Sequence, residues 1–91
     1  MRLTVITQDS YVNINSVGYK VDLSSLPPGI HAIQWYETWG EIEWEDETGR
    51  MVRNEVISSI TDYQWIIDAW NVKNEQEIQN PSPMWSWPLQ G

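Results

Sequence analysis

Residues 30–52, IHAIQWYETWGEIEWEDETGRMV, carry apolar and polar side chains in alternation on either side of Glu37-Thr38-Trp39-Gly40, and a third short run follows Asp46-Glu47-Thr48-Gly49. A period of two sends successive side chains to opposite faces of a sheet, and a glycine-containing turn lets the chain reverse. The stretch therefore predicts a β-meander with one buried face. In the first run His31, Ile33 and Trp35 share one face, with Ile30, Ala32, Gln34 and Tyr36 on the other. In the second, Ile42 and Trp44 face one way while Glu41, Glu43 and Glu45 form a row of carboxylates on the other. Met51, Val52 and Arg53 make up the short third run, residues 54–60 lead on to the next element, and Arg50 or Arg53 is placed to offset part of the acidic row.

The remaining elements extend or cover this sheet. Residues 3–7, LTVIT, are rich in β-branched side chains and predict an opening strand. After a turn at Gln8-Asp9-Ser10, residues 11–15 place Tyr11, Asn13 and Asn15 opposite Val12 and Ile14, as in a half-buried antiparallel strand. Residues 18–21 form a brief third strand or continue the second past a bulge. Pro27-Pro28-Gly29 ends the pattern and makes a corner, since proline lacks an amide donor and restricts the residue before it. Beyond residues 54–60, Thr61 is a good N-cap, and Asp62 suits the first turn of a helix. Tyr63, Ile66, Ile67 and Trp70 then fall at i, i+3, i+4 and i+7, which predicts a helix over residues 62–77 with its apolar stripe on the sheet. The expected fold is α+β: a small antiparallel sheet of about four to six strands covered by one C-terminal amphipathic helix. Residues 1–80 form a single domain, and residues 81–91 an extended Pro/Trp tail.

Seven Trp and four Tyr, with no Phe and no Cys, mean that large rings must supply much of the core, without disulfides or thiolate metal sites. The net charge of −8 repels phosphate backbones and anionic lipid, so neither nucleic acid nor a membrane is an expected partner. The first residues lack the apolar segment of a signal peptide, and no apolar run reaches membrane-spanning length, which points to a cytosolic chain.

Signals of catalysis are weak. A glycosidase-like pair needs one carboxyl in an apolar pocket facing another across a cleft, whereas the acids at 37–47 alternate along a strand face or sit in its turns. Glu45-Asp46-Glu47-Thr48-Gly49 lacks the spacing of a calcium loop. His31 is the sole histidine, and the five glycines are scattered rather than gathered in a phosphate loop. No catalytic residue, metal, cofactor or small-molecule substrate is expected. The functional signal is aromatic. Trp39 lies in a turn, Trp65 falls off the helix stripe, and Met84, Trp85, Trp87 and Pro88 lie in the tail. Tryptophan is favoured at protein–protein hot spots, so these six residues are the expected partner contacts, with Glu41, Glu43 and Glu45 as an acidic face. The competing expectation is that these rings are internal and that the tail folds back over its own core.

Three segments resemble a domain of small tailed-bacteriophage proteins of the tail-fibre assembly or tail-fibre-associated kind. Asp22-Leu23-Ser24-Ser25-Leu26-Pro27 followed by Ile30-His31-Ala32-Ile33-Gln34-Trp35 is similar to that family's LSSLPxxxHAxQW. Gly40-Glu41-Ile42-Glu43-Trp44 is similar to its GEIEY strand, and Ile60-Thr61-Asp62-Tyr63-Gln64 with Asp68-Ala69-Trp70 to its DYQxxxDAW helix. The likeness covers the middle half of the chain. Family members often continue into a longer C-terminal region, whereas this sequence stops at Gly91. The resemblance implies no cofactor, no catalytic residues, and a trimeric fibre or baseplate protein as partner. It places the chain in the host cytoplasm during assembly and, as a structural subunit, in the virion. The alternative is a small acidic phage inhibitor of a host defence protein that acts by charge mimicry.

Overall fold

The computed structural model describes residues 1–79. Six strands, β1 (Arg2–Ile6), β2 (Tyr11–Ile14), β3 (Val17–Lys20), β4 (Ile30–Tyr36), β5 (Gly40–Glu45) and β6 (Met51–Ile57), form one antiparallel sheet in the order β3-β2-β1-β4-β5-β6. The expected α+β class holds, as two meanders joined side by side through β1 and β4. A 3₁₀ turn (Thr61–Tyr63) leads into helix α1 (Gln64–Gln79). The expected tail, with Met84, Trp85, Trp87 and Pro88, lies outside the described residues.

The N-terminal meander has a clear local cause. Asn15 and Ser16 both adopt positive φ, 51° and 75°, the pair of left-handed residues that a tight hairpin turn requires. Asn13 Oδ1 accepts the Ser16 N–H at 3.0 Å, and Asn15 Oδ1 accepts the Arg2 N–H at 2.9 Å. Residues 17–20 are thus a separate strand rather than a continuation of β2. Residues 21–29 then fold Val21, Leu23 and Leu26 into the core.

One face of the sheet carries Leu3, Val5, Val12, Ile14, Ile33, Trp35 and Ile42, all buried, and α1 closes it with Ile66, Ile67 and Trp70. The helix sits over β2 and β3. The Trp70 indole donates to the Val17 carbonyl at 2.9 Å and meets the Tyr19 ring at 5.5 Å, while the Tyr19 hydroxyl donates to Asn74 Oδ1 at 2.9 Å. The helix start differs from the expectation. Thr61 is not an N-cap but the first residue of the 3₁₀ turn, which has no side-chain cap, and Ser59 Oγ accepts the Thr61 N–H instead.

Two bulges re-aim the central strands. Ile30 pairs with Trp44 but Ala32 with Glu43, so His31 is an extra residue and the side chains before it switch faces. Ile30 therefore points into the core, 4% exposed, and His31 turns to the open face, where Nδ1 lies 3.1 Å from Glu45. Alternation alone puts both on the wrong side. On β6 the register skips Val52, and Arg53 lands opposite Trp44, its guanidinium 5.0 Å from that ring. Arg53 is thus on the core-side face and does not offset the glutamate row, which occupies the other.

Asp46 closes the β5–β6 turn. Its Oδ1 accepts the Thr48 hydroxyl at 2.7 Å, the Thr48 N–H at 2.9 Å and the Arg50 N–H at 3.0 Å, while Gly49 supplies the left-handed residue at φ 85°. The Thr48 hydroxyl and then the Arg50 amide hold the Asp46 carboxyl below its ordinary 3.8. A carboxyl lowered in the folded chain contributes stability that is present above 3.8 and lost as the pH falls through the folded value. Asp46→Ala is expected to lower the denaturation midpoint at neutral pH and to flatten the acid limb of midpoint against pH. Superimposable acid limbs for the two proteins would show that the turn contributes nothing to acid sensitivity.

Candidate functional site: the open face and its aromatic turn

The face away from α1 is polar, and no element among the described residues covers it. Across the register it presents Asn13 and Tyr11 from β2, Arg2 and Thr4 from β1, Gln34 and Tyr36 from β4, and Glu41 and Glu43 from β5. Thr4 Oγ1 donates to Gln34 Oε1 at 2.9 Å, and Asn13 Nδ2 to the Tyr11 hydroxyl at 3.1 Å, so the face is held by its own hydrogen bonds.

The β4–β5 turn forms one end of this face. Glu37 adopts φ 82° without being glycine, and the Thr38 N–H reaches back to the Tyr36 carbonyl at 3.0 Å, a three-residue reversal of a strained kind. The N-terminal ammonium anchors Glu37 at 2.7 Å. The turn displays Trp39, 44% exposed, with its ring 4.8 Å from that of Tyr36; the Arg2 guanidinium lies 5.0 Å from the Tyr36 ring. A guanidinium stacked on one ring beside a second, exposed ring is a composition favoured at protein interfaces. Tyr36 and Arg2 were missed as site residues, because only the β1–β4 register makes them neighbours.

Trp65, expected beside Trp39 as a partner contact, is half-buried and packed against the core. Part of its area is spent within the fold. The acidic row is less free than alternation implies. Glu41, Glu43 and Glu45 are all half-buried; Glu41 accepts from Asn54 Nδ2 at 3.2 Å, and Glu45 faces His31. No lysine or arginine forms an ion pair with the row among the described residues. Those residues also bring together no group of three or more His, Asp or Glu able to hold a metal ion, and they contain no helix long and apolar enough to cross a membrane.

Residues 1–79 thus define a helix-capped antiparallel sheet with one closed apolar face and one open polar face that ends in an aromatic turn. No family model, curated protein or solved structure matches the chain. Much of what carries the resemblance to tail-fibre-associated proteins is structural: Leu23, Ala32, Trp35, Gly40, Ile42 and Trp70 are buried. Such residues specify a core, and the exposed positions have to specify a partner.

Proposed function

We propose that this chain is a non-catalytic protein-binding module of a tailed phage, engaging a tail-fibre or baseplate protein as an assembly factor or as a small structural subunit. The observation that carries the binding role is Trp39, held exposed on a strained turn and braced by Tyr36, Arg2 and the Met1–Glu37 ion pair. Backbone strain persists only where its surroundings over-determine it, and it gathers at contact sites. The phage and fibre assignment rests on the three motif segments.

Trp39→Ala removes a ring the core does not use. The melting temperature should therefore move little, while affinity for the fibre falls by about thirtyfold, the loss of a 2 kcal/mol hot spot. Deletion of residues 82–91 should weaken co-purification with the fibre and leave the fold intact. Unchanged fibre binding by Trp39→Ala would remove this turn from the interface. Mass spectrometry of purified virions separates the two roles, since several copies per tail indicate a structural subunit and absence indicates an assembly factor.

The second reading, charge mimicry directed at a basic host defence protein, is favoured by one observation: neither Arg50 nor Arg53 forms an ion pair with the Glu41, Glu43 and Glu45 row. It requires binding that weakens steeply with salt and is lost on charge reversal of those three residues.

A further inference from the structure

The edge strand β6 reads Met51-Val52-Arg53-Asn54-Glu55-Val56-Ile57, two apolar residues, a base, an amide, an acid and two apolar residues. About Asn54 the segment is complementary to its own reverse. It is also the longer of the two edge strands, seven residues against four in β3, which lies beneath the helix. Met51, Val52 and Val56 are 45%, 55% and 69% exposed. The strand contains no proline and no lysine, two devices that commonly blunt a free edge.

The direction of the free peptide groups follows from the neighbouring strands. Tyr36 N–H donates to the Trp39 carbonyl and Glu45 N–H to the Gly29 carbonyl, both at 2.7 Å. These bonds turn residues 39, 41, 43 and 45 towards β4, and by alternation Gly40, Ile42 and Trp44 towards β6. Their register partners Ile57, Glu55 and Arg53 are thereby engaged with β5. Asn54 and Val56 direct their N–H and C=O outward, to an edge that no strand among the described residues pairs with.

We infer that β6 pairs antiparallel with β6 of a second copy of this chain about a two-fold axis at Asn54, joining two six-stranded sheets into one. In that register Asn54 exchanges two backbone hydrogen bonds with its symmetry mate. Val56 meets Val52 of the other copy, and Met51 meets Ile57. Arg53 stands opposite the second copy's Glu55 as a non-hydrogen-bonded pair, the closer kind, on the core-side face. Centring on Arg53 would oppose two cations, and centring on Glu55 two carboxylates, so charge selects Asn54. Both groups are held in place. Arg53 lies over the Trp44 ring, and Glu55 accepts the Trp44 indole N–H at 3.1 Å. Neither forms an ion pair within its own chain among the described residues. The bulge at Val52 falls in the two flanking Val52–Val56 rungs and leaves the central Asn54 and Arg53–Glu55 rungs in regular register. This association goes beyond the fibre-binding reading and does not depend on it.

Sedimentation equilibrium of the full chain over a wide concentration range, at near-physiological ionic strength, tests the pairing; there the repulsion between two −8 chains is screened beyond about 8 Å. The expected mass rises from 10.7 kDa towards twice that value. Arg53→Glu places acids opposite acids and Glu55→Arg places bases opposite bases. Each alone should weaken self-association by about tenfold or more, since it sets like charges against each other across the interface. The double swap R53E/E55R should restore it, and an equimolar mixture of the two single variants should form a heterodimer. Circular dichroism melts confirm folding of each variant, and the double swap controls for lost contacts with Trp44. A monomer at every concentration overturns the inference, leaving the edge to a foreign strand or to water. A dimer indifferent to both single reversals overturns it too, because another surface would then be responsible.

Discussion

Trp70→Ala is expected to remove about 3–5 kcal/mol of stability, the range for deleting a buried tryptophan. A domain of this length holds only about 5–14 kcal/mol in total, so the variant should sit near the edge of folding at 37 °C. The size of the effect comes from three contacts on one side chain. The ring is 8% exposed beneath the helix, it packs on Tyr19, and its N–H satisfies the Val17 carbonyl. Since α1 meets the sheet chiefly over β2 and β3, its loss frees the helix as a unit. Trp70→Phe separates these terms. It keeps most of the ring but removes the indole donor from the Val17 carbonyl, which lies on an exposed residue paired with Ile14, and should cost about 0.5–1.5 kcal/mol. Chemical denaturation of both variants is the measurement. A midpoint for Trp70→Ala within error of wild type would mean that the helix does not depend on this anchor.

Gly40→Ala is expected to be nearly as damaging, although it adds a single methyl group. A Cβ there would collide with the Gln34 carbonyl oxygen and approach Trp35 Cα at 3.0 Å and Trp35 Cε3 at 2.9 Å. Two of these atoms are backbone of the paired strand β4, which can yield only by breaking the β4–β5 register. Forced overpacking of this kind costs about 1–3 kcal/mol or more, and a loss of about 3 kcal/mol corresponds to a melting temperature lower by about 12–24 °C in a domain of this size. The other glycines provide the contrast. The three atoms nearest a Cβ at Gly18 all belong to the hydroxyl and ring of the Tyr11 side chain, which can shift where backbone cannot. At Gly49 it meets nothing, and the cost is the positive φ alone, about 1 kcal/mol. The expected order of melting temperatures is therefore Gly40→Ala far below Gly18→Ala and Gly49→Ala. Equal values for the three would contradict the close approach of β4 to β5.

The open face and the aromatic turn were partly legible beforehand. Trp39 in a turn and the alternating glutamates are visible in the order of residues. Its bracing by Tyr36 and Arg2 is not, because those two meet only through pairing between strands thirty-four positions apart. Trp65 shows the converse. Its place off the helix stripe marks it as spare, yet it packs partly on the core, since a helix lying on a sheet buries more than one line of side chains.

Local pattern by itself determined four of the strands, the helix and most of the buried set, because period-two and period-3.6 hydrophobicity act between residues close in the chain, while it left residues 18–21 open between a strand and a bulge and did not extend the last strand over residues 54–57. Register was decided only in the tertiary structure. One extra residue at His31 and one at Val52 reverse which face a side chain occupies, and each bulge forms because the partner strand fixes its hydrogen bonds from outside the local sequence. Ile30 therefore entered the core, His31 moved to the acidic row, and Arg53 left that row for Trp44 and the edge of the sheet.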